Sequence, residues 1–231
     1  MSDCCGRTGY QTVFSDRFAK RLARTYRKRG LDPTERRIVS FLTDHDISDA
    51  SVLEIGGGVG EIQIELLNGG ARKATNLEIS RNYEAEATAL LESFGLADRV
   101  QRRFVDVGAS PEAVEPADVV VLHRVVCCYP DYERLISAAA SHAKRLLVFS
   151  YPPRNLFSRM IIRCENLLHR LRRSGFRAFV HQPAAMIQTA QREGLSLSYR
   201  HRGLSWNIVG FQRLTPANEN SRVREAMGLP L

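Results

Sequence analysis

The chain has 231 residues, of which 44% are hydrophobic and 25% charged, with a formal net charge of +8. These proportions are typical of a globular α/β domain of ordinary size. The sequence has no apolar run near the ~20 residues of a membrane-spanning helix, and its start lacks the basic-then-apolar order of a secretion signal. The five cysteines include the neighbouring pairs Cys4-Cys5 and Cys127-Cys128, which favour reduced thiols. We therefore expect a cytoplasmic protein.

Positive charge is concentrated in two segments. Residues 17–37 hold nine Lys and Arg against Asp32 and Glu35, and residues 154–177 hold seven Arg against Glu165 alone. The remainder of the chain is net acidic, so the pI near 9.6 does not describe the whole surface. Such segments attract an acidic substrate or anionic lipid headgroups, or form solvated helix faces.

Two helices are predicted before the first strand. One begins at Ser15 or Asp16 and ends at Gly30, and the next starts at Asp32-Pro33 and reaches Leu42. Four apolar residues recur at every fourth position and therefore share a face of the first helix: Phe14, Phe18, Leu22 and Tyr26.

From residue 45 onwards, strands and helices alternate. Apolar runs predict strands at 51–55, 74–79, 100–107, 117–123, 145–150, 195–199 and 205–214. Helical patterns over 62–67, 83–94, 132–144 and 183–193 separate most of them. This alternation indicates an α/β fold with a parallel sheet and helices on both of its faces.

A basic helix is predicted after Tyr151-Pro152-Pro153. Its apolar residues mark one face: Phe157, Ile161, Cys164, Leu168 and Leu171. Residues 215–231 read as a polar tail without regular structure.

An acidic residue and three alternating glycines follow the first strand, as Glu54-x-Gly56-x-Gly58-x-Gly60. Glycine allows a sharp turn and a close approach of a ligand to the backbone. Glu78 closes the second strand, where a carboxylate can accept both ribose hydroxyls, and Asp106 closes the third, where it can accept an exocyclic amine. The spacing is not that of the dinucleotide fingerprint or the nucleotide triphosphate loop. The alternatives are a nicotinamide enzyme or glycines that only turn the chain.

This ordered set resembles the class I S-adenosylmethionine-dependent methyltransferases over residues 45–214. The resemblance implies a Rossmann-like, seven-stranded, mostly parallel sheet with helices on both faces. It also implies an N-terminal helical lid over residues 1–44 and a helical insertion over residues 154–180, after the fifth strand. The implied cofactor is S-adenosylmethionine, with S-adenosylhomocysteine as the product.

The same resemblance implies roles for individual residues. Glu54 would hold the amino end of the cofactor, and Glu78 would bind the ribose hydroxyls. Ile79 would lie against adenine, while Asp106 and the backbone of Val107 would bind its N6 amine. The methionine part and the ribose would lie along the glycine loop: Gly56, Gly57, Gly58 and Gly60.

The loop after the fourth strand faces the transferred methyl group in this family. Methyltransferases of nucleobase amines carry Asn/Asp-Pro-Pro-Tyr there, whereas this chain has Leu122-His123 and resembles the small-molecule methyltransferases. Its C-terminal half loosely resembles magnesium-protoporphyrin O-methyltransferases. His123 is the candidate general base, because the pKa of histidine lies near the working pH. A contact with the cofactor and a role in ordering the loop are the alternatives.

Further residues are candidates for contacts with the methyl acceptor from the lids: Tyr10, Phe14, Tyr129, Tyr151 and Arg159. Cys127-Cys128 and Cys4-Cys5 lack the C-x-x-C spacing of a zinc site, so we expect no metal there. The alternative is that the four thiols converge with His123 on a soft metal or a metalloid substrate. Buried cysteines more often act as small apolar residues.

Three hypotheses follow for the function. The first is methyl transfer to the oxygen, or the nitrogen, of an acidic or aromatic small molecule. The second is RNA modification with the arginines on phosphates, and the third is a non-catalytic cofactor-binding subunit. We prefer the first, because the basic helices keep their apolar residues on one face, as lids do, and do not expose aromatic residues among the arginines.

Overall fold

A seven-stranded sheet forms the centre of the protein. The computed structural model describes residues 7–213. The strand order is β3-β2-β1-β4-β5-β7-β6, and only the pairings of β7 with its two neighbours are antiparallel. The strands are β1 (Ser51–Ile55), β2 (Lys73–Leu77), β3 (Val100–Arg103), β4 (Ala117–Leu122), β5 (Ala143–Tyr151), β6 (Leu195–His201) and β7 (Asn207–Arg213). The predicted seven-stranded, mostly parallel sheet is confirmed.

The α-helices cover both faces of this sheet, as predicted. Those of the described residues are α1 (Arg7–Val13), α2 (Asp16–Arg29), α3 (Pro33–Thr43), α4 (Glu61–Asn68), α5 (Glu84–Ser93), α6 (Tyr132–His142), α7 (Leu156–Leu171) and α8 (Pro183–Arg192). The Ser15 side chain caps α2, and Gly30 ends that helix at a φ of 66°. Asp32 and Glu35 form a capping box at the start of α3.

The centre of the sheet decides where a ligand can bind. β1 pairs in parallel with β2 on one side and with β4 on the other, so the strand order reverses between β1 and β4. β4 is an apolar run that is almost fully buried, as a strand covered on both faces must be. A crevice forms at such a reversal, outside the carboxyl ends of the strands.

Most of the predicted N-terminal lid belongs to the hydrophobic core. Ala19 and Ala23 of α2 and Ile38 of α3 are fully buried and belong to the same cluster as β1, β4 and α4. The Tyr26 hydroxyl donates a hydrogen bond of 2.8 Å to Glu65 of α4. Within the described part of this segment, Tyr10, Phe14, Phe18, Leu22 and Glu35 border the crevice. Ala19, Ala23 and Tyr26 therefore fix α2 to the body of the protein, while Phe18 and Leu22 of the predicted apolar period face the cavity.

Helix α7 does not line the crevice, although we expected the insertion to form a lid over it. It has no buried residue, and its apolar face is exposed. The Asn166 side chain, on the other side of the helix, exchanges two hydrogen bonds of 2.8 Å with the backbone of Ala178. The periodicity predicted the helix and its apolar face correctly, but that face points outward. Within residues 7–213, no helix is long and apolar enough to cross a bilayer.

Tyr151 lies in the core. β5 continues one residue beyond the predicted end of the strand, and Tyr151 pairs with Asn207 in β7. Its ring packs against Phe149, with ring centroids 6.1 Å apart. The ladder with β7 carries Tyr151 into the sheet, away from the acceptor contact that we expected of it.

The capping box at α3 gives a test of the fold. Asp32→Ala removes the acceptor of two backbone N–H groups of α3 and the partner of Arg124. We expect the free energy of unfolding to fall by about 1–2 kcal/mol in urea denaturation. Asp44→Ala, at the exposed end of the same helix, is the control and should change it by less than about 0.5 kcal/mol. Equal losses in the two variants would contradict this role of Asp32.

Candidate active site

A cavity, partly open to solvent, occupies the crevice at the carboxyl ends of β1, β2 and β4. The glycine loop, the ends of β2 and β4, the loop after β3 and the N-terminal helices line it. Most of the residues singled out in the sequence are among its walls: Tyr10, Phe14, Glu54, Gly56, Gly57, Gly58, Glu78, Ile79, Asp106, Val107, His123 and Tyr129. The topology thus brings together residues that are far apart in the sequence.

The glycine loop leaves no room for a side chain at its centre. A Cβ atom on Gly57 would lie 2.3 Å from Asn76 Nδ2 and 2.7 Å from Glu54 Cδ. Gly60 has a φ of 91° and precedes α4, so it serves the turn into this helix and does not line the cavity. The backbone of the loop therefore forms one wall of the cavity.

The Glu78 carboxylate joins the glycine loop to the end of β2. Its Oε2 accepts a hydrogen bond of 3.0 Å from the Gly58 N–H, and its Oε1 accepts from Ile79 at 2.7 Å and Ser80 at 3.0 Å. Burial raises the pKa of Glu78, while the three N–H donors oppose this shift. These hydrogen bonds hold the carboxylate in one orientation, in which it can accept a further hydrogen bond from a ligand.

Asp106 lies in a loop, because β3 ends at Arg103 and does not reach residue 107 as we predicted. The Tyr129 hydroxyl donates to the Asp106 carboxylate, with O···O distances of 3.0 and 3.2 Å. Tyr129 therefore lies beside the residue expected to bind adenine. The absence of a side chain at Gly108 leaves room for the Tyr129 hydroxyl.

Buried or half-buried carboxylates line the side of the cavity near α3 and α4. Glu54 is 2% exposed, its Oε2 has no hydrogen-bond partner, and burial raises its pKa well above the usual range. Burial and the nearby charge of Glu35 raise the pKa of Glu61 to about 7. Burial also raises the pKa of Glu35. Sequence reasoning missed Glu35 and Glu61, which resembled ordinary helix-start residues.

His123 follows β4 and lies among these acids. Its Nδ1 is 3.0 Å from Ser150 Oγ, and its Nε2 is 3.7 Å from Glu35 Oε1, beyond hydrogen-bond distance. Burial, helped by the charge of Arg124, lowers the pKa of His123 to about 3. The ring is therefore neutral at pH 7 and is a weak proton acceptor in this state.

Three ligating atoms of Asp32, Glu35 and His123 lie within 4.8 Å of one another. The spacing would suit a shared cation, but the Arg124 guanidinium forms an ion pair with Asp32. A cation at this position would have to displace that guanidinium. The arrangement therefore fits a polar network better than a metal centre.

The helix α1 covers the cavity from above. The Tyr10 hydroxyl donates a hydrogen bond of 2.6 Å to the Cys128 carbonyl, and Asn82 Nδ2 donates to the Phe14 carbonyl at 2.9 Å. Phe176, from the segment after α7, meets the rings of Tyr10 and Phe14 edge-on, each at a centroid distance of 5.8 Å. These rings form an aromatic roof, of which Phe176 was not predicted.

Arg159 and the cysteines complete the set of predicted residues. Arg159 is exposed on α7 and does not line the cavity. Cys128 lines it, and its Sγ is 3.7 Å from that of the buried Cys127. Cys4 and Cys5 lie outside the described residues, as does the predicted tail.

Comparison with known proteins identifies the family. The family described as a methyltransferase domain matches residues 18–205. The chain belongs to this methyltransferase family. The match spans the glycine loop, the three strand ends and the insertion, so the membership indicated by the motifs is confirmed. No curated protein sequence matches the chain closely enough to count as a relative.

Solved structures share the fold at low sequence identity. Magnesium protoporphyrin IX methyltransferase from Synechocystis PCC 6803, crystallised with bound SAH, is 21% identical; the match covers 90% of this chain and 99% of that one, with a TM-score of 0.70. Mitomycin 7-O-methyltransferase is also 21% identical, with coverages of 90% and 61% and a TM-score of 0.60. A putative RNA methyltransferase from Pyrococcus horikoshii is 12% identical, with coverages of 80% and 83% and a TM-score of 0.55. The fold alone therefore leaves the acceptor open.

The raised pKa of Glu61 predicts that the free energy of unfolding depends on pH. Between about pH 4.5 and 7 the folded protein keeps a proton on Glu61 that the unfolded chain has lost, so stability falls as pH rises. His123, with its lowered pKa, acts in the opposite direction, so the variant must be compared with the wild type. We expect Glu61→Gln to gain about 1–3 kcal/mol in unfolding free energy relative to wild type between pH 5 and 7.5.

Glu92→Gln, on the exposed face of α5, is the matched control for this comparison. Its difference from wild type should stay constant over the same pH range. A pH-independent difference for Glu61→Gln, measured by urea denaturation at each pH, would contradict the assignment.

Proposed function

We propose that this protein is an S-adenosylmethionine-dependent methyltransferase that transfers a methyl group to an oxygen, or a nitrogen, of a small aromatic acceptor. One observation carries this proposal: the cavity at the strand reversal combines a glycine wall with buried carboxylates under an aromatic roof. When bound, S-adenosylmethionine supplies an electrophilic methyl group on a positively charged sulfonium.

The carboxylates fit a positively charged ligand. Glu54 has an unpartnered buried oxygen, and the pKa values of Glu54, Glu61 and Glu35 are raised because burial outweighs the charges of the nearby arginines. An ammonium or a sulfonium near them would stabilise their charged forms. We assign Glu54 to the amino end of the cofactor, directly or through water.

The remaining cofactor contacts follow the cavity wall. Glu78 is held by three backbone donors, and its Oε2, which accepts only from Gly58, keeps a lone pair for a ribose hydroxyl. Asp106 shares its carboxylate between Tyr129 and the adenine amine, with Ile79 and Val107 lining the same end. These roles are assigned on position in the cavity and on the chemistry of each group.

His123 is placed to orient the acceptor. In the tautomer in which the Nδ1–H donates to Ser150 Oγ, the neutral Nε2 can accept a hydrogen bond from an acceptor hydroxyl. A pKa of about 3 makes it a poor general base in this state, so we assign it to positioning. Methyl transfer depends mainly on an in-line approach of the nucleophile, which such a hydrogen bond favours.

The cavity favours an aromatic acceptor over an acidic one. Of the arginines of the described residues, only Arg124 lines it, and that guanidinium is paired with Asp32. The arginines of α7 do not line it, so they give no support to an anionic acceptor inside the cavity. Tyr10 and Phe14 of the aromatic roof line the cavity and offer aromatic surface to a planar ring.

Calorimetric titration with S-adenosylhomocysteine tests the cofactor assignment. We expect binding at micromolar affinity or better, about −8 kcal/mol, and no binding of NADH. Glu78→Ala and Gly57→Ala should each weaken it at least ~10-fold, because one loses the ribose acceptor and the other displaces the loop. Gly95→Ala is the control: at a φ of 66° it strains a turn outside the cavity, with no atom within 4 Å of the added Cβ, and should leave the affinity unchanged. Unchanged affinity in both site variants would sink the assignment.

His123→Ala separates positioning of the acceptor from contact with the cofactor. We expect S-adenosylhomocysteine affinity to stay within about 3-fold of wild type and kcat to fall at least ~10-fold, the size of a lost positioning hydrogen bond. The rate is measured as transfer of a labelled methyl group to a phenolic acceptor found by screening. A loss of cofactor affinity equal to the loss of rate would instead identify His123 as a cofactor contact.

A further inference from the structure

Helix α7 carries most of the exposed large apolar side chains of the described residues. Of ten such side chains between residues 7 and 213, seven lie on this one helix. They are Leu156, Phe157, Met160, Ile161, Leu167, Leu168 and Leu171. Single exposed apolar residues are ordinary, but a contiguous set marks an interaction surface.

These seven residues form one stripe that faces away from the protein. At about 100° per residue they fall within an arc of about 140° around the helix. The opposite side is the one that contacts the body: Ile162, Asn166 and His169 are half-buried there. Asn166 bonds to the backbone of Ala178, and the His169 ring packs against Phe176 at 5.1 Å. Contacts on the opposite side of α7 therefore keep the stripe facing outward.

Arginines border this stripe. Arg159, Arg163 and Arg170 project along one edge of it, and Arg172 and Arg173 follow the end of the helix, all of them exposed. Glu165 is the one acidic residue of α7. An apolar face of Leu and Phe beside a row of arginines is the composition of helices that lie in the membrane interface.

We propose that α7 docks on an anionic lipid bilayer, lying flat with its apolar stripe among the acyl chains near the headgroups and its arginines on the lipid phosphates. The arginine row is complementary to the negative surface potential of such a membrane, where each basic residue adds to the attraction. The apolar stripe supplies the second, hydrophobic contribution that stable interfacial binding requires.

Other occupants of this surface fit less well. Two copies packed through α7 would bring two arginine rows together, and each row has only Glu165 to offset it. An RNA would satisfy the arginines but leave the seven apolar side chains in water. A bilayer interface accommodates both halves of the surface.

Membrane docking would also place the aromatic roof close to the lipid. The segment after α7 returns to the cavity, where the Phe179 N–H donates a hydrogen bond of 2.7 Å to the Cys127 carbonyl. Phe176 of the same segment packs against Tyr10 and Phe14. An acceptor dissolved in the membrane would thus reach the cavity over a short distance, a consequence that rests on the proposed function.

Vesicle co-sedimentation of the full chain tests the proposal without cofactor or acceptor. Vesicles of phosphatidylglycerol and phosphatidylcholine are compared with vesicles of phosphatidylcholine alone. Phe157→Ser/Leu168→Ser reduces the apolar surface of the stripe, and Arg163→Glu/Arg170→Glu reverses two charges in the arginine row. Arg24→Glu/Lys28→Glu makes the same charge change on α2, whose exposed basic face has no such stripe.

We expect the wild type to bind the anionic vesicles and each α7 variant to bind at least ~10-fold more weakly, with the α2 variant within about 2-fold of wild type. Equal binding to both kinds of vesicle, or an equal loss in the α2 variant, would overturn the proposal. A wild type that binds no vesicles and elutes as a dimer in size-exclusion chromatography, while Phe157→Ser/Leu168→Ser elutes as a monomer, would also overturn it. Far-UV circular dichroism spectra and urea midpoints equal to those of the wild type show that the variants are folded, and keep this test separate from the proposed function.

Discussion

The hydrogen bonds of the Glu78 carboxylate hold the candidate site together. One oxygen accepts from the backbone of Gly58, and the other accepts from the two residues that follow Glu78. The loop after β1 and the end of β2 are thereby fixed to each other at the reversal of strand order. Together with the hydrogen bond from the Gly56 N–H to the Leu77 carbonyl, this buried side chain stabilises the cavity wall by supplying acceptors to its backbone donors.

The buried acids explain why the cavity suits a cation. Glu54, Glu61 and Glu35 are carried by β1, α4 and α3, and each has a raised pKa because burial disfavours its charge. A fold that needed only stability would have little reason to bury them together. Their convergence on the glycine loop is understandable if a positively charged ligand restores their charge.

Two basic amphipathic helices show how one pattern leads to two structures. In α2 the apolar face, with Ala19, Ala23 and Tyr26, is buried against the body of the protein. In α7 the side of the helix that contacts the body carries Asn166, whose paired hydrogen bonds to Ala178 leave the apolar face outside. Periodicity defines a face, but the neighbouring elements decide whether it is covered.

The sequence by itself determined the order of strands and helices, the caps Ser15 and Asp32, the glycine loop and the acidic residue after β2. These depend on local patterns and on backbone constraints that act over a few residues. Tertiary structure alone decided that Glu35 meets His123, that Tyr129 binds Asp106 and that α7 faces outward. Such contacts join residues distant in the sequence, so they depend on how the layers pack and not on any local signal.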